Sequence, residues 1–483
     1  MNLVKLEIPR KTETDLSDLE EILVKQRDAF LRDGPPDLAA RKDKLAKLRT
    51  VIVQYRRAFE AAVSADFGHR SQHETAIMEL LGVLQAIDYL TRNLRRFMRP
   101  QRRHVELTYR AGRAYVAYQP KGVIGIMAPW NYPISLTMIP LATALAAGNR
   151  AMIKPSELTP QTSALMQQIL REVFPLEKVA IILGDAQTGM AFSRLAFDHL
   201  LFTGSTQVGR QVMKAASENL VPVTLELGGK SPVVIAHGQV NAQTMGNLAF
   251  GKLANAGQTC VAPDYALVHE DDASRFAAEY SKAVEHLYPQ GPGSDDYSSI
   301  INDRHHQRLQ NLIEDARGKG AQVIEIGAKP HTAKERIRTI APTLILGATD
   351  DMMVMQEEIF GPILPVRTWR TMDEVIHYIN ARPRPLALYY LGSQGEACEK
   401  LLANTTSGSV GINNTLMHVA QDDLPFGGIG PSGMGAYHGV EGFRSMSHAK
   451  GFFVQGGWNL PRLLRPPFGR LVNLALSSRL GKS

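Results

Sequence analysis

Apolar residues recur at helical spacing through residues 38–98, most clearly in LAKLRTVIVQYRRAFEAAV and MELLGVLQAIDYLTRNL, and predict a helical N-terminal layer. The pattern then changes. VELTYRAGRAYVAYQP, residues 105–120, alternates apolar and polar positions and turns at Gly112, which predicts a β-hairpin. Short continuous apolar runs follow: VIGIMAP, RAMIKP, VAIILG, HLLFTG and VTLELGG. They alternate with helical stretches. Runs without polar alternation suit strands buried on both faces, and repeated strand–helix units predict a parallel sheet covered by helices. A second series starts at Pro232: PVVIA, a helix near 242–255, YALVHE, a helix near 272–286, then LALYYLGS and SGSVGIN. It predicts a second α/β domain.

Between Gly122 and Asn149 no residue is charged, yet Pro129, Asn131, Pro133 and Pro140 interrupt the stretch. A membrane-spanning helix wants about 20 mainly apolar residues in a row. The stretch reads instead as a buried strand, a loop and a buried helix. At 483 residues and 44% apolar composition, the chain is too long for one ordinary core and predicts two or three domains.

The formal net charge of +7 raises nucleic acid and membranes as partners. The charges are scattered, however. Basic runs such as RNLRR and RPQRRH lie in the helical N-terminal part, where they suit a solvated face or a subunit interface. The aromatic-plus-basic pattern of a single-strand binder is missing, so no nucleic acid is expected. Two cysteines exclude a disulfide framework and a cysteine-rich metal site, and no metal is expected. The opening MNLVKLEIPRKTETDLSD has no apolar secretory core, so a cytoplasmic protein is expected.

Cys260 lies in GQTCVAPD. A free cysteine is more often packing than nucleophile. Here Gly257, Thr259 and Ala262 leave backbone accessible, and a nearby helix N-terminus would lower the thiol pKa. Glu226 lies 34 residues earlier, at the end of a strand-like run beside Gly228 and Gly229. Sheet enzymes build sites at such strand ends, although a surface glutamate would fit as well. Asn131, in MAPWNYP, would donate to an oxyanion or cap the next helix. Lys154 and Glu157, in IKPSE, suit ribose hydroxyls. In FTGSTQVGR, Gly204 and Ser205 would let a pyrophosphate approach a helix N-terminus. Cys398, in GEACEKLL, reads as packing.

Together with EEIFGP (357–362) and PFGGIGPSGMG (425–435), these pieces resemble the aldehyde dehydrogenase superfamily, in its order, over residues 40–455. GQTCVAPDY and PSGMGAYHG resemble its short, class 3-type branch, and the tail with LLRPPFGR resembles bacterial coniferyl aldehyde dehydrogenases. The resemblance implies a Rossmann-like cofactor domain (1–102 and 120–228) and an α/β catalytic domain (229–440). It also implies a small β bridging element (103–119 and 441–455) that makes a homodimer, and a basic tail (456–483). By the same resemblance, Cys260 is the nucleophile and Glu226 the base. Asn131 and the Cys260 backbone N–H form the oxyanion hole. Lys154 and Glu157 hold the adenosine ribose, Gly204 and Ser205 the pyrophosphate, and Glu358 and Phe360 the nicotinamide ribose and ring. The implied cofactor is NAD, with NADP tolerated.

The implied substrate is an apolar aldehyde, with Tyr132 and Met138 as pocket walls. Two rivals share this scaffold: a CoA-acylating aldehyde dehydrogenase and an inactive binding protein. Residues 458–483 carry five basic side chains and no acidic one. Folding back near the substrate entrance or the partner subunit is expected of this tail, ahead of peripheral contact with an anionic membrane.

Overall fold

The uncharged run after Gly122 builds the centre of a sheet. In the computed structural model, which describes residues 16–327, 336–457, 462 and 465–481, Val123–Met127 is a strand buried at every position. Ser135–Ala147 is a helix buried everywhere except Leu136 and Ile139, as a helix apolar on all sides must be. Among the described residues no helix is long and apolar enough to cross a membrane.

Val123–Met127 belongs to a six-stranded sheet in the spatial order Gly433–Met434, Val223–Glu226, His199–Thr203, Val123–Met127, Arg150–Lys154, Val179–Ile181. All pairings are parallel except the two-residue edge strand Gly433–Met434. The chain fills one side of Val123–Met127 first and then crosses to the other. The strand order therefore reverses between Val123–Met127 and His199–Thr203, and such a reversal opens a crevice at the carboxyl ends of the strands. The second sheet has seven strands, in the order Gln322–Glu325, Thr343–Leu346, Ile363–Trp369, Tyr265–His269, Pro232–Ile235, Ala387–Leu391, Ser409–Ile412. It is parallel apart from the edge strand Gln322–Glu325. This is the expected α/β architecture.

A third, antiparallel sheet joins Gln101–Arg103, Arg113–Pro120 and Ser447–Val454. Here the hairpin expected over 105–120 is corrected. Its first strand comes earlier, at Gln101–Arg103, and residues 107–109 form a 3-10 turn instead. Gly112 owes its place to a close approach. A Cβ there would lie 2.7 Å from the Phe453 ring and 2.9 Å from the Val454 carbonyl of the crossing strand.

The tail carries a helix, Arg470–Leu480. Val472 is buried, whereas Leu471, Leu474 and Leu480 are exposed. The tail positions 458–461, 463–464 and 482–483 lie outside the described residues.

One N-terminal helical stretch, residues 72–98, is interrupted by a π turn at Ala76–Leu81. The turn carries Glu79, which is fully buried. One Glu79 oxygen accepts from Arg70 Nη1 at 2.9 Å. The other accepts from the Ile134 and Ser135 amides at 2.7 and 3.0 Å, at the start of the buried helix. Arg70 Nη1 also donates to the Asn131 carbonyl at 3.1 Å. Breaking one side of a buried ion pair costs about 3–5 kcal/mol, because the other charge is stranded. Arg70→Met is expected to lose about that much in a denaturant titration. Arg70→Met/Glu79→Gln, which removes the stranded charge but keeps the acceptor, should recover part of the loss. A double variant no more stable than Arg70→Met contradicts this account.

Candidate active site

The crevice at the strand-order reversal is a cleft of about 550 Å³. Asn131, Lys154, Glu157, Gly204, Ser205, Glu226, Cys260, Glu358 and Phe360 all line it. Sequence reasoning had drawn them from six separate segments. Four of these segments end a strand of the first sheet at its carboxyl edge, whereas those of Cys260 and of Glu358 and Phe360 precede the strands Tyr265–His269 and Ile363–Trp369 of the second. None of the described tail residues lines the cleft.

One side of the cleft is built from the first sheet. Ser205 caps the helix Thr206–Ser217, its hydroxyl accepting from the Val208 amide, so the helix N-terminus opens on the cleft. Lys154 is buried, and its ammonium donates to the Pro155 carbonyl at 2.8 Å and to Glu157 Oε2 at 3.5 Å. Burial pulls the Lys154 pKa down, against the pull of Glu157. A strand-end acid, a lysine and an uncovered helix N-terminus fit the ribose and phosphates of a dinucleotide.

On the other side, two loops are tied together. Asn131 Nδ2 donates to the Gln258 carbonyl at 3.1 Å, which leaves its second N–H free of that bond. Asn255 Nδ2 donates to the carbonyls of Asn131 and Gln258, at 2.9 and 3.2 Å. Asn255 and Ala256 hold this loop with positive φ, at 52° and 50°. Glu358 lies against the chain at Gly228, where a Cβ would sit 2.0 Å from Glu358 Oε2. Behind it, Lys230 bonds Asp264 and the carbonyls of Val354 and Glu357, and Asp264 accepts from the Ile359 amide.

The electrostatics correct one expectation. No helix begins at Cys260, which follows the short turn Ala254–Gly257. Burial, then Glu358 and Glu226, push its thiol up to about 12, opposed by the backbone N–H groups of Cys260 and Val261. Burial also raises Glu226 well above the usual carboxyl range, and neither of its oxygens has a protein partner. Glu358 is pushed up to about 8 by burial and Asp264, although the Gly229 amide favours its ionised form.

The substrate walls are corrected too. Met138 is fully buried in the core, and neither it nor Tyr132 lines the cleft. The Tyr132 hydroxyl bonds Thr259 Oγ1 at 2.7 Å. Cys398 is packing, as expected. Sequence reasoning missed Asn255, Gln258 and Lys252. The Lys252 ammonium is buried with no partner, and burial lowers it to about 8. A lone lysine inside the apolar run LAFGKLANAG was the available signal.

Residues 7–452 match the aldehyde dehydrogenase family. The chain is 46% identical over 463 residues to the "Probable coniferyl aldehyde dehydrogenase" of Pseudomonas aeruginosa, covering 96% of each sequence. It shares a TM-score of 0.89 and 36% identity with Staphylococcus aureus AldH in a substrate-bound state, over 95% of this chain and 99% of that one. With the Mycobacterium tuberculosis aldehyde dehydrogenase complexed with NAD+, the TM-score is 0.81 at 26% identity, over 92% and 91% of the two chains. The strand-end cleft and this whole-chain likeness agree, and the protein belongs to the aldehyde dehydrogenase family: an oxidoreductase that takes an aldehyde and uses NAD(P).

Proposed function

We propose that the cleft oxidises an apolar aldehyde, with coniferyl aldehyde as the specific candidate, to its carboxylate through a covalent Cys260 adduct that water resolves. The observation that carries this reading is the shared cleft: a thiol, a carboxylate without a protein partner, and an amide with an N–H to spare. The relative named for coniferyl aldehyde supports the substrate class.

In this reading Cys260 gives up its proton to solvent, and the thiolate attacks the aldehyde carbon. The Asn131 amide donates to the alkoxide that forms, an interaction worth about 2.7–4 kcal/mol where it has been removed elsewhere. Bound NAD would supply the hydride acceptor for the tetrahedral adduct on Cys260. Lys154 and Glu157 would hold its adenosine ribose, Gly204 and Ser205 its pyrophosphate, and Glu358 and Phe360 the nicotinamide end. The acyl group then sits on Cys260 as a thioester. Glu226 deprotonates water, hydroxide displaces the thiolate, and the acid leaves. A glutamate at this place favours water over CoA as the acyl acceptor.

We also propose the division into cofactor, catalytic and bridging parts at the expected boundaries. The strand Ser447–Val454, whose Phe453 and Val454 are exposed, would form the contact of a homodimer.

Three measurements test these assignments. Glu226→Gln is expected to give one equivalent of NADH in a burst, with steady turnover about 10²–10⁴ lower. Turnover near wild type removes Glu226 as the base. Glu157→Gln should shift preference toward NADP, because the carboxylate that meets a 2′-phosphate is gone; an unchanged NAD/NADP ratio of kcat/KM dissociates Glu157 from the ribose. In a substrate series, kcat/KM should favour cinnamic-type and fatty aldehydes over acetaldehyde and charged semialdehydes. The reverse order overturns the substrate class.

A further inference from the structure

At the opposite end of the first sheet from the cleft lies a second cavity, of about 390 Å³. It is closed by the last turn of the helix Leu16–Asp33, the first turns of the helix Leu38–Gln54, and residues 173–178. Its floor is Arg150, the first residue of a strand whose last residue, Lys154, reaches the cleft.

Four cationic side chains, Lys44, Lys178, Arg41 and Arg150, face this cavity or back its wall. Lys178 is buried, only 9% exposed, and lines the cavity with Lys44. Both are donors only, and they share this one cavity. Neither makes a salt bridge among the described residues. Arg41 is buried behind the wall at Gly148, and its guanidinium is held by the carbonyls of Pro36 and Ala146, at 2.9 and 3.0 Å. Arg150 bonds Asp33 and the carbonyls of Ala29 and Glu177, and its Nε has no partner.

The acids nearby are already engaged. Asp33 is shared between Arg150 and Arg32, Asp43 pairs with Lys47 at 2.8 Å, and Asp37 caps its helix by accepting from the Ala40 amide at 2.8 Å. Two ammonium groups driven together in a half-closed space repel each other, and burial adds to that cost. Burial, Lys44 and Arg150 together pull Lys178 down to about 6. A fold that keeps such a group in a cavity lined also by Phe30, Val173 and Phe174 has a place for a compensating ligand.

We propose that this cavity binds a phosphate-type dianion, free or as the ester of a small organic molecule, with Lys44 and Lys178 as its ligands and Arg150 beside them. Several point-charge donors converging on one spot suit the many acceptor oxygens of a phosphate. The aromatic wall suits an attached organic group.

The test uses the full-length enzyme with NAD at saturation, so that the helix N-terminus of the cleft is already filled. Inorganic phosphate and phenyl phosphate are titrated calorimetrically against matched chloride, and melting temperatures are followed. Saturable binding that Lys178→Gln and Lys44→Gln each weaken at least tenfold is expected. Tighter binding of phenyl phosphate identifies an ester as the ligand, and equal binding identifies the free ion. Lys178→Gln should also raise the melting temperature of the anion-free enzyme by about 2 °C or more, since it removes the repulsion. The proposal is overturned by no saturable binding at millimolar anion, by affinities within twofold of wild type in both variants, or by a lower anion-free melting temperature in Lys178→Gln.

Discussion

The buried Arg70–Glu79 ion pair is the constraint on which the site depends. The π turn at Ala76–Leu81 carries Glu79, whose oxygens hold Arg70 and the first amides of the helix that follows Asn131. Arg70 in turn fixes the Asn131 carbonyl. One turn earlier in the same helical stretch, Glu74 accepts from the Asn255 amide and from Ser298 Oγ. The two glutamates thus grip one loop from each large sheet. The distance between Asn131 and Cys260 is set by this layer as much as by the sheets, because Gln258 and Asn255 complete the tie.

Inside that frame the chemistry is governed by desolvation. Desolvation raises Glu226, Glu358 and Cys260, and the two glutamates raise the thiol further, so the resting site favours protonated groups. A thiol held in that form resists oxidation, which follows thiolate character. Burial also makes Glu226 a stronger base once its own proton is gone. In the proposed reaction Glu226 accepts from water, a role that a raised pKa suits.

Much of the fold was legible in the sequence, for a physical reason. Parallel strands buried on both faces read as unbroken apolar runs, and site residues sit where those runs stop. Asn131, Lys154, Glu226 and the Gly204–Ser205 turn were found that way, and their convergence follows from strand direction alone. What remained hidden depends on contacts between distant segments. Arg70 meets Asn131 across 61 residues and Asn131 meets Gln258 across 127, and nothing local announces either bond. The thiol pKa was misjudged because burial and neighbouring carboxylates are tertiary facts. Gly112 does close a turn, its amide donating to the Tyr109 carbonyl at 2.7 Å, but the strand that crowds it lies more than 300 residues away and leaves no local sign. Met138 sits beside Asn131 in sequence, but its helix turns it into the core.

The central claim is that substrate carbon becomes bonded to Cys260 and that Glu226 is needed to release it. Peptide mass spectrometry of Glu226→Gln enzyme, quenched in acid after mixing with coniferyl aldehyde and NAD, tests this most directly. The account predicts one acyl group per chain, on the peptide that contains Cys260 and not on the one that contains Cys398. An unmodified Cys260 peptide in enzyme that has released one equivalent of NADH would contradict it.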